Sequence, residues 1–391
     1  MLGRVPWRIV SGQRGPGRYP AGSGSEGQMA DQEDITRFLS HPAAFGAIID
    51  EVAHVLAGFP RSPAAGRAPD WAEAAHRILA QDAPLIAARA DRGAVRRCHG
   101  DLHLRNIVLI DGEPVLYDAL EFDEAMGTSD IVYDIAFLVM DLCHRGLARQ
   151  ACRVLEAWLL GFDGAEDDGL AILPLCLSLR AAIRAMVALQ TAAARGTDGE
   201  SEARGYIEEA CRYLAPRAPV CIAVGGMSGT GKSVLARALT AGTGAAPGAI
   251  WLASDVLRKA GGGTVQYDRA ARGAVYDRMA ARARAILAAG HSVVLDATFL
   301  DPARRRQVRD VADAAGVPFA GLWLSAPPDI LRDRVAGRRG DPSDADLAVL
   351  ERQLAGGADA PDWGRVSAAG TPQDTLERAR AALAPLVPTP A

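Results

Sequence analysis

The chain has 391 residues, of which 49% are hydrophobic and 23% charged, and its formal net charge is -4. That length is enough for two or three domains, and the composition fits a soluble globular protein with sizeable cores. The slight acidic excess argues against a protein that binds nucleic acid regardless of sequence, because such proteins neutralise phosphates with surplus basic side chains.

Neither a leader nor a membrane span is expected. Residues 1–28 are rich in Gly, Arg, Ser and Pro without an apolar core, so we expect a disordered tail, with Met29 as an alternative start. Charged residues interrupt the apolar stretches Ile131–Cys143 and Leu170–Ala194, which therefore fall short of the roughly 18 continuous apolar residues of a span. The 6 cysteines form no C-x-x-C pair, as is typical of free thiols in the cytoplasm.

Residues 29–216 are predicted to form a first domain that is mostly helical. The segment 31–95 is rich in Ala and Leu and contains a break marked by three prolines, Pro60, Pro63 and Pro69. Further helices are expected at about 129–160, 170–195 and 199–214. Between these regions, Asp111-Gly112 separates the apolar runs Ile107–Ile110 and Val115–Tyr117, which predicts a tight β-hairpin.

A catalytic-loop motif precedes this hairpin. The run Cys98-His99-Gly100-Asp101-Leu102-His103-Leu104-Arg105-Asn106 has the spacing of a phosphotransferase loop, and Asp118 follows the hairpin. The motif resembles that of the aminoglycoside phosphotransferase family, H-G-D-x-H-x-x-N followed by an Asp. The resemblance implies that Asp101 is the base that accepts a proton, and that Asn106 and Asp118 are metal ligands.

The first domain departs from that family in one respect. Kinases of this fold hold the α- and β-phosphates with a lysine on an N-lobe strand, but residues 1–98 contain no lysine and no strand-like alternation. Arginine is a poor substitute, because its guanidinium is a planar fork. We therefore expect a degenerate accessory or acceptor-recognition domain whose N-lobe was lost by deletion or by a faulty gene model.

Residues 217–391 are predicted to form a second domain of α/β class, after a short linker at 216–219. Strands and helices alternate, which indicates a parallel sheet covered by helices on both faces. The predicted strands are Val220–Val224, Ile250–Leu252, Ser292–Leu295, Phe319–Leu324 and Arg365–Ser367. The predicted helices begin at Lys232, at about residue 268, at Pro302 and at Pro328.

The most specific motif of the chain follows the first of these strands. It is Gly226-Met227-Ser228-Gly229-Thr230-Gly231-Lys232-Ser233, which matches the phosphate-binding loop G-x-x-x-x-G-K-[ST]. The strand–loop–helix setting points backbone N–H groups and the positive end of a helix dipole at a phosphate. The motif predicts binding of ATP, and Lys232 is one of only two lysines in the chain, the other being Lys259.

Two residues are predicted to hold Mg²⁺. Ser233 would supply a hydroxyl, and Asp296, which ends the strand Val293–Leu295, would supply a carboxylate, directly or through water. Thr298 would assist. An Asp after an apolar strand is otherwise a helix cap or a turn residue, and that alternative stays open.

The second strand leads to candidate residues for the acceptor. Asp255 and Arg258 follow Ile250–Leu252, and a strand end in an open α/β sheet faces the ligand crevice. Asp255 could accept a proton from an acceptor hydroxyl, and Arg258 could fix the acceptor's own charge. The alternative is a helix N-cap with a solvated arginine.

Arginines after the fourth strand are candidates for a lid that stabilises the transferred phosphoryl group. They are Arg332, Arg334, Arg338 and Arg339, of which Arg334 and Arg338 share a helix face. A solvated basic face is the alternative. The run Arg304-Arg305-Arg306 has no such placement, and we expect it on the surface.

Taken together, these residues resemble the P-loop kinases that act on small molecules and 5′-hydroxyl ends, and are similar to zeta-toxin-like kinases. The whole chain resembles a bacterial two-domain family that joins an aminoglycoside phosphotransferase-like domain to such a P-loop (AAA-type) domain. The resemblance implies an ATP- and Mg²⁺-dependent kinase with an unidentified hydroxyl acceptor, with nucleic acid a partner only through a 5′-hydroxyl end. The alternatives are an ATP-hydrolysing regulatory module and an antibiotic phosphotransferase that acts through Asp101.

Overall fold

The computed structural model describes residues 41–120, 127–260, 269–337, 346–357, 360 and 362–385. The chain divides into two compact units. One unit, here called the helical unit, holds the described residues up to Leu147 together with Ile172–Ala215. The other, here called the P-loop unit, joins Ala148–Ala171 to the segment from Pro216 onward. The predicted tail 1–28 and Met29 lie outside the described residues.

The helices, in chain order, are α1 Pro42–Ala57, α2 Pro63–Asp91, α3 Ile131–His144, α4 Ala148–Gly161, α5 Leu173–Arg195, α6 Glu200–Leu214, α7 Lys232–Thr240, α8 Ser254–Ala260, α9 Arg269–Ala288, α10 Pro302–Ala314, α11 Pro328–Ala336, α12 Leu347–Ala355 and α13 Pro372–Leu383. The strands are β1 Val95–Arg97, β2 Ile107–Ile110, β3 Glu113–Leu116, β4 Thr128–Asp130, β5 Cys221–Gly226, β6 Ile250–Ala253, β7 Val293–Asp296, β8 Phe319–Ser325 and β9 Gly364–Ser367.

In the helical unit, α5 packs against both α6 and α3, and α1 packs against α2. Strands β2 and β3 form the predicted antiparallel hairpin. The break in the first helical segment lies at residues 58–62, where Ser62 caps α2 and Pro63 opens its first turn, a position that needs no N–H donor. The prediction was wrong for Pro69, which lies inside α2. A proline inside a helix removes only one hydrogen bond, and buried Trp71 and Ala75 on the same helix stabilise the turns that follow.

The single helix predicted at 129–160 is divided into two helices, α3 and α4. Its first residues belong to strand β4. Strand β4 pairs antiparallel with β1, and neither strand was predicted, because three-residue strands leave too short a pattern to recognise. Arg145-Gly146-Leu147 ends α3, with Gly146 in the left-handed conformation at φ 73°. This glycine allows the chain to turn between α3 and α4.

A buried ion pair ties α2 to β4. Arg89 donates two hydrogen bonds, of 2.7 and 2.8 Å, to the carboxylate of Asp130, and the two side chains are 0% and 2% exposed. Asp130→Ala would remove the carboxylate that accepts both of these hydrogen bonds from a buried guanidinium, so we expect the free energy of unfolding to fall by about 3–5 kcal/mol. Urea denaturation measures this. Glu351→Ala, which removes an exposed partner of Arg332, should have little effect, and an equally small effect for Asp130→Ala would contradict the assignment.

The P-loop unit contains one five-stranded parallel sheet in the order β6-β7-β5-β8-β9. The predicted sheet is confirmed. Each strand begins within one or two residues of its predicted position, because buried parallel strands give continuous apolar runs between turn residues. The core on one face of the sheet combines Ile222 and Val224 with Leu235 and Leu239 of α7 and Leu376 of α13.

The loop that enters β7 buries His291, which is 1% exposed. Burial lowers the pKa of His291 to about 4 from 6.5, so the folded state keeps this imidazole neutral where the unfolded state takes a proton. Stability is therefore lost as the pH falls from about 6.5 towards 4, by about 2 kcal/mol between pH 7 and pH 5. Urea denaturation at both pH values should show this loss, and His291→Gln should remove it. Exposed His54→Gln is the control, and the same pH dependence in wild type and His291→Gln would contradict the prediction.

One helical stretch among the described residues, Asp167–Arg195, has the length and hydropathy of a membrane span. Its most apolar window is 67% buried within the protein, as the core helix of a globular unit would be. The 6 cysteines are free. Burial raises the pKa of Cys98, Cys152 and Cys221 to about 12 in each case, so these thiols stay protonated at neutral pH.

Candidate functional site

The candidate nucleotide site lies at the carboxyl ends of β5, β6 and β7. Strand β5 has β7 on one side and β8 on the other, so the chain reverses its direction of winding at β5. In open α/β sheets, ligands bind in the crevice outside the strand ends at such a switch point. The three strands end at Gly226, Ala253 and Asp296, and all predicted P-loop and acceptor residues follow from these ends.

The phosphate loop needs glycine where the backbone leaves the common conformations. Gly226 has φ 137° and Gly229 has φ 85°. A Cβ on Gly226 would lie 2.5 Å from the carbonyl oxygen of Leu324, and one on Gly229 would lie 2.8 Å from that of Leu331. Both positions therefore exclude larger residues, which keeps the loop backbone against β8 and α11.

Lys232 opens α7 and folds back over the loop. Its Nζ donates to the carbonyl oxygen of Met227 at 2.9 Å, and the Thr230 hydroxyl donates to the same oxygen at 2.8 Å. Gly231 is the N-cap of α7, and its lack of a side chain means that no capping side chain covers the first turn beside Lys232. This is the arrangement that binds phosphate oxygens.

Asp296 lies beside the loop, as predicted. Its side chain is buried, and its Oδ2 has no hydrogen-bond partner among the described residues. Burial raises the pKa of this carboxyl group, while the nearby charge of Lys232 and a hydrogen bond from Ser233 oppose that effect. The structure thus brings together the three predicted residues.

These residues fit a magnesium ion. Magnesium takes oxygen ligands and uses one or two protein groups together with substrate phosphates and water. The unpartnered carboxylate oxygen of Asp296 and the hydroxyl of Ser233 provide such a pair. No group of three or more His, Cys, Asp or Glu side chains within the described ranges could hold a metal by itself, so the phosphates of a nucleotide would have to complete the coordination.

Asp255 and Arg258 occupy the predicted position at the start of α8, directly after β6. Arg258 donates to the Asp255 carboxylate at 3.0 Å, and the two side chains are 17% and 39% exposed, respectively. The carboxylate thus remains accessible to an acceptor. In this state, however, Arg258 binds Asp255 itself, so an acceptor would have to share or take over that guanidinium.

Tyr276 of α9 is a site residue that was not predicted. Its hydroxyl lies 3.4 Å from the Thr298 hydroxyl and accepts from the Phe299 N–H at 3.3 Å. Burial raises the pKa of Tyr276, and the charge of Asp255 acts in the same direction. Nothing in the helix pattern singles out this tyrosine, because it comes near the site only when α9 packs over the end of β7.

The predicted lid arginines have different environments. Arg334 donates to the carbonyl oxygens of Ala368 and Gly370, at 2.8 and 3.0 Å, so its guanidinium is fixed against the segment after β9. Arg332 pairs with Asp329 and Glu351 on the surface. Arg338 and Arg339 lie outside the described residues.

Arg334 also lines a cavity of about 230 Å³ beside the phosphate loop. The cavity wall is mostly apolar and is formed by Thr230, Gly231, Val234, Leu235, Arg334, Gly370, Pro372 and Thr375. Small-molecule sites commonly combine such an apolar wall with a few fixed polar groups. A flat group attached to the phosphates in the loop could therefore enter this cavity.

The expectation that Arg304–Arg306 lies on the surface was wrong for Arg305. This side chain is 5% exposed, donates to the carbonyl oxygen of Phe299 at 2.9 Å and pairs with Asp362 at 3.3 Å. Phe299 has φ 49°, in the left-handed region that non-glycine residues rarely adopt. Arg305 thus stabilises the strained segment that follows Asp296.

In the helical unit, the structure brings Asp101 and Asn106 together. Asn106 Nδ2 donates to the Asp101 carboxylate and to the Asp101 carbonyl, both at 3.0 Å. A hydrogen bond from His103 lowers the pKa of Asp101. Asp118 is exposed and adopts φ 61°, and no contact joins it to this pair among the described residues.

Charged side chains inside apolar helices hold this loop in place. The Asp134 carboxylate accepts from the His99 and Gly100 N–H groups at 3.3 and 2.8 Å, and Arg180 donates to the Gly100 carbonyl at 3.2 Å. The sequence does carry a signal for them, because Asp134 and Arg180 interrupt otherwise apolar stretches. A charge there needs a buried partner.

Two family models match the chain. The phosphotransferase enzyme family matches residues 56–170, and the AAA domain matches residues 221–358. The predicted two-domain resemblance is therefore confirmed, and it supports a phosphotransferase. The first match includes residues 148–170, which belong to the P-loop unit by their packing.

Curated relatives extend beyond this chain. Uncharacterized proteins of Mycobacterium tuberculosis and Mycobacterium bovis are each 31% identical to it over 308 residues, which is 75% of this chain and 60% of the relative. The chain thus spans less than two thirds of the length of these relatives.

Solved structures of kinases are similar to part of the chain. A gluconokinase from Sinorhizobium meliloti 1021 is 24% identical, with a TM-score of 0.34, and the match covers 44% of this chain and 94% of that one. An APS kinase of Mycobacterium tuberculosis, solved with AMPPNP and APS, is 18% identical with a TM-score of 0.31, and the match covers 43% and 99%. By its two family-model matches, the chain combines a segment like the phosphotransferase enzyme family, residues 56–170, with a segment like the AAA domain, residues 221–358.

Proposed function

We propose that this protein is an ATP-dependent phosphotransferase whose chemistry takes place in the P-loop unit, on a hydroxyl acceptor. One observation carries the proposal: a buried carboxylate with an unpartnered oxygen, Asp296, lies beside Lys232 and Ser233 at the end of a parallel strand. A phosphate loop alone indicates nucleotide binding. A loop with an adjacent buried carboxylate and a second acidic residue, Asp255, at the next strand end can also support transfer.

Each residue would have a defined task. The loop N–H groups and Lys232 would bind the β- and γ-phosphates, and Lys232 would leave the Met227 carbonyl to do so. Ser233 and Asp296 would hold a magnesium ion, which neutralises charge on the phosphates when bound. Asp255 would accept the proton of the acceptor hydroxyl, and Arg258 would orient that carboxylate or the acceptor.

The cavity beside the loop is the best candidate for the nucleotide base. Arg334 is held there by two backbone carbonyls, which leaves the face of its planar guanidinium able to stack on an aromatic ring. We therefore propose that Arg334 binds the base rather than the transferred phosphoryl group. A catalytic role for Arg338 remains a prediction.

A second candidate function is phosphotransfer through Asp101, and one observation favours it. The hydrogen bonds between Asn106 and Asp101 keep the catalytic-loop geometry intact, and the hydrogen bond from His103 keeps Asp101 ionised. Either function would use ATP. We favour the P-loop unit because it supplies a lysine, a metal-binding carboxylate and a base within one unit.

A transfer screen tests the proposal. Purified protein is incubated with γ-labelled ATP, magnesium, a panel of small hydroxyl compounds and 5′-hydroxyl oligonucleotides, with Lys232→Ala as the blank. We expect a labelled product with at least one acceptor, and none with the blank. Hydrolysis of ATP without any labelled product would instead indicate a regulatory module, and equal labelling by Lys232→Ala would contradict the proposal.

A further inference from the structure

Helix α12 contacts the phosphate loop directly. Gln353, half-buried near the end of α12, accepts a hydrogen bond of 2.8 Å from the Ser228 N–H through its Oε1. Ser228 is the third residue of the loop and is 3% exposed. The Ser228 N–H of the phosphate loop thus already has a hydrogen-bond acceptor, and that acceptor lies on α12, outside the motif.

Apolar packing places Gln353 at this position. Leu350 and Leu354 of α12 pack with Leu331 and Val335 of α11, and Met227 of the loop packs against the same cluster. Both Met227 and Ser228 therefore contact α12: Met227 packs against it through its side chain, and Ser228 donates a hydrogen bond to it through its N–H. Removing the Gln353 amide would leave the apolar contacts intact.

We propose that Gln353 sets the nucleotide affinity of the loop, because its amide oxygen competes with a phosphate oxygen for the Ser228 N–H. The inference rests on the proposed nucleotide site. A hydrogen bond to an anionic phosphate oxygen is about twice as strong as one to a neutral amide, so the phosphate displaces Gln353. The hydrogen bond between Gln353 and Ser228 exists only while no phosphate is bound, so it stabilises the protein without nucleotide. Breaking it on binding lowers the apparent affinity for the nucleotide.

Isothermal titration with ATP·Mg²⁺, and separately with tripolyphosphate, tests this in the 391-residue chain. Gln353→Met keeps the length of the side chain but cannot accept the hydrogen bond, so both ligands should bind about three- to tenfold more tightly, the equivalent of one lost neutral hydrogen bond. Gln353→Glu keeps the acceptor and adds a negative charge, so both should bind more weakly. Gln373→Met, an exposed position on α13, is the matched control.

The outcomes separate the two proposals. In one outcome, the wild-type protein binds ATP·Mg²⁺ and Gln353→Met binds it equally well or more weakly. That result would overturn the role of Gln353 and leave the proposed function standing. Weaker binding by Gln353→Met would make the glutamine a ligand of the phosphates instead of a competitor. If neither protein bound ATP·Mg²⁺ while both gave the same thermal transition, the proposed function itself would fail.

Discussion

Lys232→Ala is expected to weaken ATP·Mg²⁺ binding by about 100-fold, because it removes the only lysine of the phosphate loop, which we propose binds the β- and γ-phosphates. Its Nζ donates to the Met227 carbonyl at 2.9 Å, and the charge of Asp296 lies nearby. Alanine is the best helix former, so α7 should persist and the substitution should leave the fold intact. Isothermal titration measures the affinity, and circular dichroism checks the fold.

The chain supplies its own control for this change. Lys259 is the only other lysine, and it lies on α8, exposed to solvent. Lys259→Ala removes the same charge from the same unit, so it corrects for any general electrostatic effect on an anionic ligand. Binding that falls equally in both variants would mean that Lys232 acts only through net charge, and the loop would lose its assigned role.

Asp255→Asn is expected to lower kcat for phosphate transfer by about 10²–10⁴-fold while ATP·Mg²⁺ affinity changes little, since a general base contributes that much to the rate. The amide keeps the shape of the side chain and can still accept from Arg258, so the geometry of α8 should persist. Single-turnover transfer from labelled ATP measures the step. The measurement requires the acceptor found in the screen.

Asp346→Asn is the control for Asp255→Asn. Asp346 is an exposed carboxylate that caps α12 by accepting from the Val349 N–H at 2.8 Å, and asparagine caps helices equally well. Transfer should therefore be unchanged in that variant. If Asp255→Asn also left all activity unchanged, Asp255 would be a helix-start residue, and slow ATP hydrolysis by a regulatory module would become the better account.

The five strands of the α/β half could be predicted from sequence, but its helices α8, α12 and α13 were not predicted. Strands β5, β6 and β7 are buried throughout, so they give continuous apolar runs, and β7 ends at the polar residue Asp296. The phosphate loop is contiguous, so spacing alone identifies it. Asp255 and Asp296 follow from one further rule, that carboxyl ends of parallel strands share an edge.

Contacts between distant segments could not be predicted. The carbonyl oxygens that hold Arg334 belong to residues 368 and 370, and the oxygen that occupies the Ser228 N–H belongs to Gln353. Neither pairing leaves a periodic pattern. In the same way, Arg305 belongs to a basic run on a mostly exposed helix, yet it turns inward because the strained backbone at Phe299 offers it carbonyl acceptors.

The helical half was predicted less accurately, for a different reason. Proline is a weak guide where packing stabilises the helix on both sides of it, as around Pro69, and strands of three residues leave too short a pattern. The structure brings Asp101 and Asn106 of the predicted loop motif together, and their catalytic role stays a prediction. The residues that hold it, Asp134 and Arg180, lie on α3 and α5, remote from it in sequence.

The most direct test of the account is the rate of phosphate transfer by Asp101→Asn, measured beside wild type and Lys232→Ala with the same acceptor. Asparagine keeps the size of the side chain and can still bind Asn106, so the helical unit should remain folded. The account predicts that Asp101→Asn transfers phosphate at the wild-type rate while Lys232→Ala transfers none. Loss of transfer in a folded Asp101→Asn variant that still binds ATP·Mg²⁺ would contradict it, and would place the chemistry in the helical unit.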